Sequence, residues 1–195
     1  MKKLKTKHTI LFSTFCWVSM MMVTVEARER KARESKTPSK AAQYAASIPK
    51  ATLSEVRYGT HERHVLDFWQ AAADTPTPLV FVIHGGGWRN GSKERLNRFV
   101  DAAALLKEGI SVVAINYRLM RHAEGVEPPV KAPLDDAARA LQFVRSMADE
   151  WNIDKERVAA AGSSAGACSS LWLLYHDDLA DPESKDPIAR ESTRL

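Results

Sequence analysis

Two cysteines in 195 residues leave little room for covalent cross-linking. Cys16 lies in the apolar run near the N-terminus, so the folded part would keep Cys168 alone. No internal disulfide is then expected, even in an oxidising compartment. No Cys and His share metal-ligand spacing, which argues against a structural zinc, and neither a metal nor an organic cofactor is expected. Internal repeats are absent. Long apolar spans are absent too. The run from Ile10 to Val25 is 16 residues and includes Ser13, Thr14, Ser19 and Thr24, short and polar for a membrane-crossing helix. No stable membrane anchor is expected. The chain also lacks a basic stripe on its folded part. Its net charge is +4, but residues 1–27 carry +3 and residues 28–40 another +4, which leaves 41–195 three charges negative. Nucleic-acid binding is discounted on that distribution.

What is present divides the chain in three. Lys2 to Lys7 precede the apolar run, and Val25-Glu26-Ala27 fits the small-x-small pattern, so residues 1–27 are expected to be an export signal cut after Ala27. An uncleaved anchor is the alternative. The expected location is secreted or periplasmic. Residues 28–50 are charged, then rich in Ala, Ser and Pro, and are expected to form a flexible linker with a weak helix around Ala41 to Ala46. Residues 51–195 carry the folded pattern.

Leu53 to Tyr58 and His64 to Trp69 read as two strands about a turn at Gly59. Leu79-Val80-Phe81-Val82-Ile83 is continuous apolar sequence, as in a strand buried on both faces. Glu94 to Glu108 has apolar residues at helical spacing, stopped by Gly109. Ser111 to Ile115 reads as a second buried strand. Pro133 opens a helix with Asp135 and Asp136 in its first turn. Val158 to Ala161 reads as a third strand, and a last helix from Ser164 places Ala165, Cys168, Leu171, Trp172 and Tyr175 on one face. Strands alternating with helices predict an α/β fold with a mostly parallel sheet, helices on both faces.

Two motifs carry chemistry. Gly162-Ser163-Ser164-Ala165-Gly166 lies between a predicted strand and a predicted helix. Acyl transfer needs a serine hydroxyl held exposed, and a sharp strand-to-helix turn with flanking glycines does this. Ser164 is the candidate nucleophile; Ser163 occupies the variable position. The bland alternative is a small-residue helix start used for close packing. His84-Gly85-Gly86-Gly87-Trp88 follows the strand ending at Ile83. Backbone N–H groups aimed at a developing oxyanion lower the barrier by roughly 3 kcal/mol per donor, and glycines leave the approach open. A phosphate loop would need Lys-Ser/Thr after the glycines; Trp88-Arg89-Asn90-Gly91 stand there instead. His84 is expected to brace the loop through backbone hydrogen bonds and not to act as the base. Both loops are expected at the carboxyl ends of sheet strands, where α/β sites form.

With these motifs the chain resembles the HGGG-type esterases and lipases, the hormone-sensitive-lipase-like branch of the α/β-hydrolase fold. Asn116-Tyr117-Arg118-Leu119 resembles a segment that these relatives often write Asp-Tyr-Arg-Leu, and Pro133-Leu134-Asp135-Asp136-Ala137 resembles the helix after it. Trp88 and the gap from Gly125 to Pro133 look closer to secreted sugar-ester esterases. The resemblance covers about residues 52–176. It implies an oxyanion hole from the amides of Gly86, Gly87 and Ala165, with Gly85 a further member. It implies a pair between Arg118 and Asp135 or Asp136 bracing the adjacent loop; plain helix-start charges in solvent are the alternative. The implied activity is ester hydrolysis through a Ser164 acyl-enzyme, on small-molecule or polysaccharide esters, with an amide-cleaving relative (peptidase or formamidase) or a catalytically incomplete hydrolase scaffold as alternatives. The order implied by the family is Ser, acid, His. Ser164 stands 31 residues from Leu195, and His176 would lie roughly 18 Å along the nucleophile helix, so neither triad partner is identified. The expectation is a longer enzyme whose acid and base follow, and a 195-residue chain of poor solubility because a strand edge and a helix face are left open.

Overall fold

Alternation along three strands determines the layers. The computed structural model describes residues 48–195, so the expected leader, Cys16 and nearly all of the expected linker lie outside the described residues. Strand β3 (Thr77–Ile83) runs parallel to β4 (Ser111–Ile115) on one side and to β5 (Ile153–Gly162) on the other. Successive side chains of a strand point to opposite faces. Leu79, Phe81 and Ile83 of β3, with Val113 and Ile115 of β4, therefore enter one apolar cluster. Val82, Val112 and Ala114 enter the other. The antiparallel pair β1 (Leu53–Arg57) and β2 (Val65–Trp69) extends the sheet beyond β4, giving the order β1-β2-β4-β3-β5.

Helices cover both faces, as the pattern predicts. Helix α1 (Ala102–Lys107) and a 3-10 turn (Lys93–Arg98) close the face holding Val82 and Leu96. Helices α2 (Lys131–Ser146) and α3 (Ala165–Tyr175) close the other, where Leu141, Val144, Trp151 and Leu173 pack on Phe81 and Ile83. Each such fully buried side chain contributes about 1.5–3 kcal/mol. The sheet is mixed, and its parallel core is β4-β3-β5.

Four expectations need correction. The helix read over Glu94 to Glu108 is two pieces, because Asp101 caps α1 by accepting from the Ala104 N–H at 3.1 Å and so starts a new helix. Helix α2 begins at Lys131, placing Pro133 inside the first turn, where its missing N–H costs nothing, and Asp135 and Asp136 in the second turn. Strand β5 begins at Ile153, five residues early; its charged stretch Asp154 to Arg157 is tolerated because β5 lies at the sheet edge. Finally, the face of α3 that packs is Ala165, Gly166, Ser169 and Leu173, whereas Cys168, Leu171 and Tyr175 are exposed. The small residues face inward because the helix start lies directly against β3.

Candidate active site

The chain turns sharply from β5 into α3 at Ser164, whose backbone sits at φ 53, ψ −121. A non-glycine residue held there is strained, and the surroundings must enforce it. The enforcement is close packing. A Cβ on Gly166 would lie 2.0 Å from the Ile83 carbonyl oxygen, and one on Gly162 2.5 Å from the same atom. The elbow is thus pressed onto the end of β3, from which the glycine loop departs. Ser164 is exposed, and Ala165 behind it is buried. Ser163, the variable position, accepts the Gly166 N–H on its carbonyl at 3.0 Å.

The glycine loop meets this elbow directly. A Cβ on Gly85 would lie 2.5 Å from the Ser163 carbonyl oxygen, so Gly85 is a contact point between the two motifs. Gly86 carries the turn: its carbonyl accepts from the N–H groups of Arg89 (3.1 Å) and Asn90 (3.2 Å). Gly87, at φ +61, has open space where a side chain would stand. Among the described residues, no acceptor takes the amides of Gly86, Gly87 or Ala165. The two expected turns are therefore side by side at the carboxyl ends of β3 and β5, with donors to spare.

Below the loop lies a buried brace. His84 is 2% exposed, stacks on Tyr117 at 4.1 Å, and has its Nδ1 2.9 Å from the Gly85 carbonyl oxygen. Its Nε2 faces Arg63 Nη2 at 3.4 Å. A guanidinium only donates, so Nε2 accepts and Nδ1 carries the proton given to Gly85. Burial, reinforced by the Arg63 cation, pushes the His84 pKa down to about 4 against the opposing Gly85 hydrogen bond. His84 is thus neutral and fully engaged near neutral pH, as a brace and not a base. The Tyr117 hydroxyl donates to the His84 carbonyl at 2.7 Å. Arg63 also donates to the carbonyls of Gly91 (2.9 Å) and Tyr117 (2.7 Å).

Two further ties hold the loop's far end. Trp88 Nε1 donates to Ser169 Oγ at 3.0 Å, and that hydroxyl donates to the Ala165 carbonyl at 3.0 Å. The Met120 N–H donates to the Trp88 carbonyl at 2.8 Å. The Asn116 to Leu119 segment is fixed by Asp136, which accepts from the Arg118 N–H (2.8 Å), Nε (3.0 Å) and Nη2 (2.6 Å) and also faces His64 Nε2 at 3.0 Å. Burial raises the Asp136 pKa, but His64 and Arg118 outweigh it and hold the carboxyl below its ordinary range. Of the two expected partners for Arg118, then, Asp136 is the one; Asp135 pairs with Lys131 at 2.5 Å.

Arg63, His64 and Ser169 support the site, as does Tyr58, whose hydroxyl donates to the Asn116 carbonyl at 2.5 Å, and sequence reading assigns none of them. Arg63 sits in the β1–β2 connection with no motif around it. Ser169 is one of several small residues in α3. Tyr117 had a signal, the segment Asn116 to Leu119. The described histidines are His61, His64, His84, His122 and His176, and none of them hydrogen-bonds to Ser164. No group of three or more His, Cys, Asp or Glu residues that could hold a metal occurs among the described residues.

Comparison with known proteins agrees with this geometry. The chain is similar to the carboxylesterase NlhH of Mycobacterium tuberculosis, 32% identical over 162 residues, which is 81% of this chain and 47% of that protein. It is similar to the kynurenine formamidase of Debaryomyces hansenii, 32% identical over 133 residues, 65% of this chain and 41% of that one. Among solved structures it resembles the acetyl ester-xyloside bifunctional hydrolase of Caldicellulosiruptor lactoaceticus, with TM-score 0.55 and 30% identity, covering 67% of this chain and 46% of the other. The chain spans about half the length of these proteins. The BD-FAE family profile matches residues 66–186, from within β2 to beyond α3. The chain belongs to the BD-FAE family, and its fold is that of the α/β-hydrolases.

Proposed function

We propose that this chain supplies the nucleophile and oxyanion half of a serine ester hydrolase acting on short acyl esters or acetylated sugars. The observation that carries the reading is Ser164 at a strained strand-to-helix turn, in contact with a loop whose Gly86 and Gly87 amides are unclaimed. The Ser164 oxygen attacks the ester carbonyl carbon. The carbonyl π electrons move onto oxygen, which is received by the amides of Gly86, Gly87 and Ala165. Collapse expels the alcohol and leaves an acyl group on Ser164; water then repeats the sequence and releases the acid. The serine proton passes to a base and on to the leaving alcohol. No described histidine is placed for that task, and we assign it to a base and carboxylate following the nucleophile helix in a longer chain. The sugar-ester part of the reading draws on the acetyl ester-xyloside hydrolase, and the leader on residues 1–27, which implies export and a mature N-terminus at Arg28.

The test is hydrolysis of 4-nitrophenyl acetate and butyrate by the protein expressed from its complete reading frame, with Ser164→Ala beside it. The substitution should lower kcat by about 10⁴-fold or more and abolish fluorophosphonate labelling. Labelling that persists in Ser164→Ala would defeat the assignment. A second reading, amide cleavage, is favoured by the similarity to kynurenine formamidase. Aryl formamides turned over faster than the matched esters would select it.

A further inference from the structure

Beside the glycine loop lies a cavity of about 650 Å³ walled by Arg89, Met120, Arg121 and Pro129. Its volume is within the range of small-ligand sites. We propose that it is an anion subsite of the substrate groove, and that it selects esters bearing a carboxylate. The inference rests on the ester-hydrolase reading and narrows its substrate class.

Position supports it first. Arg89 follows Gly87 by two residues, and its N–H is tied to the Gly86 carbonyl at 3.1 Å. Met120 is tied to the Trp88 carbonyl at 2.8 Å, and Arg121 Nη1 donates to the Arg89 carbonyl at 2.9 Å. The cavity therefore opens off the same loop that presents the oxyanion donors. A substrate held there has its remote part within reach of both guanidinium groups.

Charge supports it second. Three other cations around the loop are committed. Arg118 binds Asp136, Arg63 binds the Gly91 and Tyr117 carbonyls, and Lys93 is buried among Glu55, Asp67 and Glu94. Among the described residues, Arg89 and Arg121 form no ion pair, although Glu124 and Glu127 stand exposed on the following loop. Residues 41–195 are net negative, yet two guanidinium groups without a carboxylate partner line one cavity. Arg121 spends one N–H on Arg89 and keeps the rest of its planar fork, which matches a carboxylate bidentately. Met120 and Pro129 supply apolar walls that keep the charge from being fully screened.

The experiment separates this subsite from the chemistry. Binding of monomethyl glutarate and of its neutral counterpart, dimethyl glutarate, is measured by titration calorimetry on Ser164→Ala protein, where no turnover intervenes. The monoester should bind at least tenfold more tightly, and that preference should vanish when Arg89→Gln and Arg121→Gln are added, or fall severalfold with Arg121→Gln alone. Equal binding of the two esters, binding of neither, or a preference that survives both substitutions overturns the proposal. In the catalytic arm, kcat/KM for 4-nitrophenyl hemiglutarate over 4-nitrophenyl butyrate should drop at least tenfold in the double variant. Hydrolysis of both without such a drop overturns the subsite and leaves the ester reading intact. Hydrolysis of neither defeats the ester reading, while calorimetry still decides the subsite.

Discussion

At the scale of single residues, the site depends on atoms that are missing. Gly166→Ala would drive a methyl group to 2.0 Å from the Ile83 carbonyl oxygen, a backbone atom that cannot turn aside. We expect a loss of about 3 kcal/mol, read as a lower urea midpoint, at the upper end of overpacking costs. His84 gives a second prediction. Its folded pKa of about 4 lies below the ordinary 6.5, so from pH 6.5 down to 4 the unfolded chain binds more protons than the native one. His84 therefore contributes stability in full above that window and loses it as pH falls through it, by up to about 3 kcal/mol. Urea midpoints at pH 7.5 and 4.5 should differ markedly in the parent protein and less in His84→Gln. The residual slope belongs partly to His61 and His122, whose pKa values burial also lowers. The strained turn at Ser164 and the glycine loop beside it were legible because a turn needs its residues in sequence. Arg63 was not, since its worth lies in reaching Tyr117 and Gly91, 54 and 28 residues away.

At the scale of elements, the loop, the helix and the segment after β4 are bound to one another by few bonds. Trp88→Phe would remove the donor to Ser169 while keeping an aromatic ring there. One such bond is worth about 1 kcal/mol. With the loop so loosened, kcat should fall about fivefold with KM little changed and with unchanged circular dichroism. Asp136→Asn would leave Arg118 facing a neutral amide, and breaking such a pair costs about 3 kcal/mol or more; thermal unfolding would show it. Helix and strand identities followed from apolar spacing. What spacing could not reveal was where one element stops and another begins. The Asp101 cap was present in the sequence but hidden inside a run that kept helical period on both sides, and β5's first half was hidden by its charges.

At the scale of the whole molecule, the order β1-β2-β4-β3-β5 was beyond sequence reading, because period tells which residues share a face and not which strand lies next to which. The expected α/β class and the placing of both motifs at one sheet end needed only the crossover rules. Strand β5 has one neighbour, β3, and α3 exposes Leu171 (54%), Leu174 (41%) and Tyr175 (79%). The 195-residue chain should therefore self-associate as its concentration rises, visible by sedimentation velocity, and Leu171→Lys with Tyr175→Lys should reduce it. Lying next to β3 yet made long after it, β5 also sets a timetable. During synthesis the segment ending at Gly91 leaves the ribosome well before Ser164 does, but a domain folds as a unit and β3 must wait for β5. The loop's tie to Ser169 and the elbow's seat on Ile83 therefore close together, so neither half of the site is finished before the other.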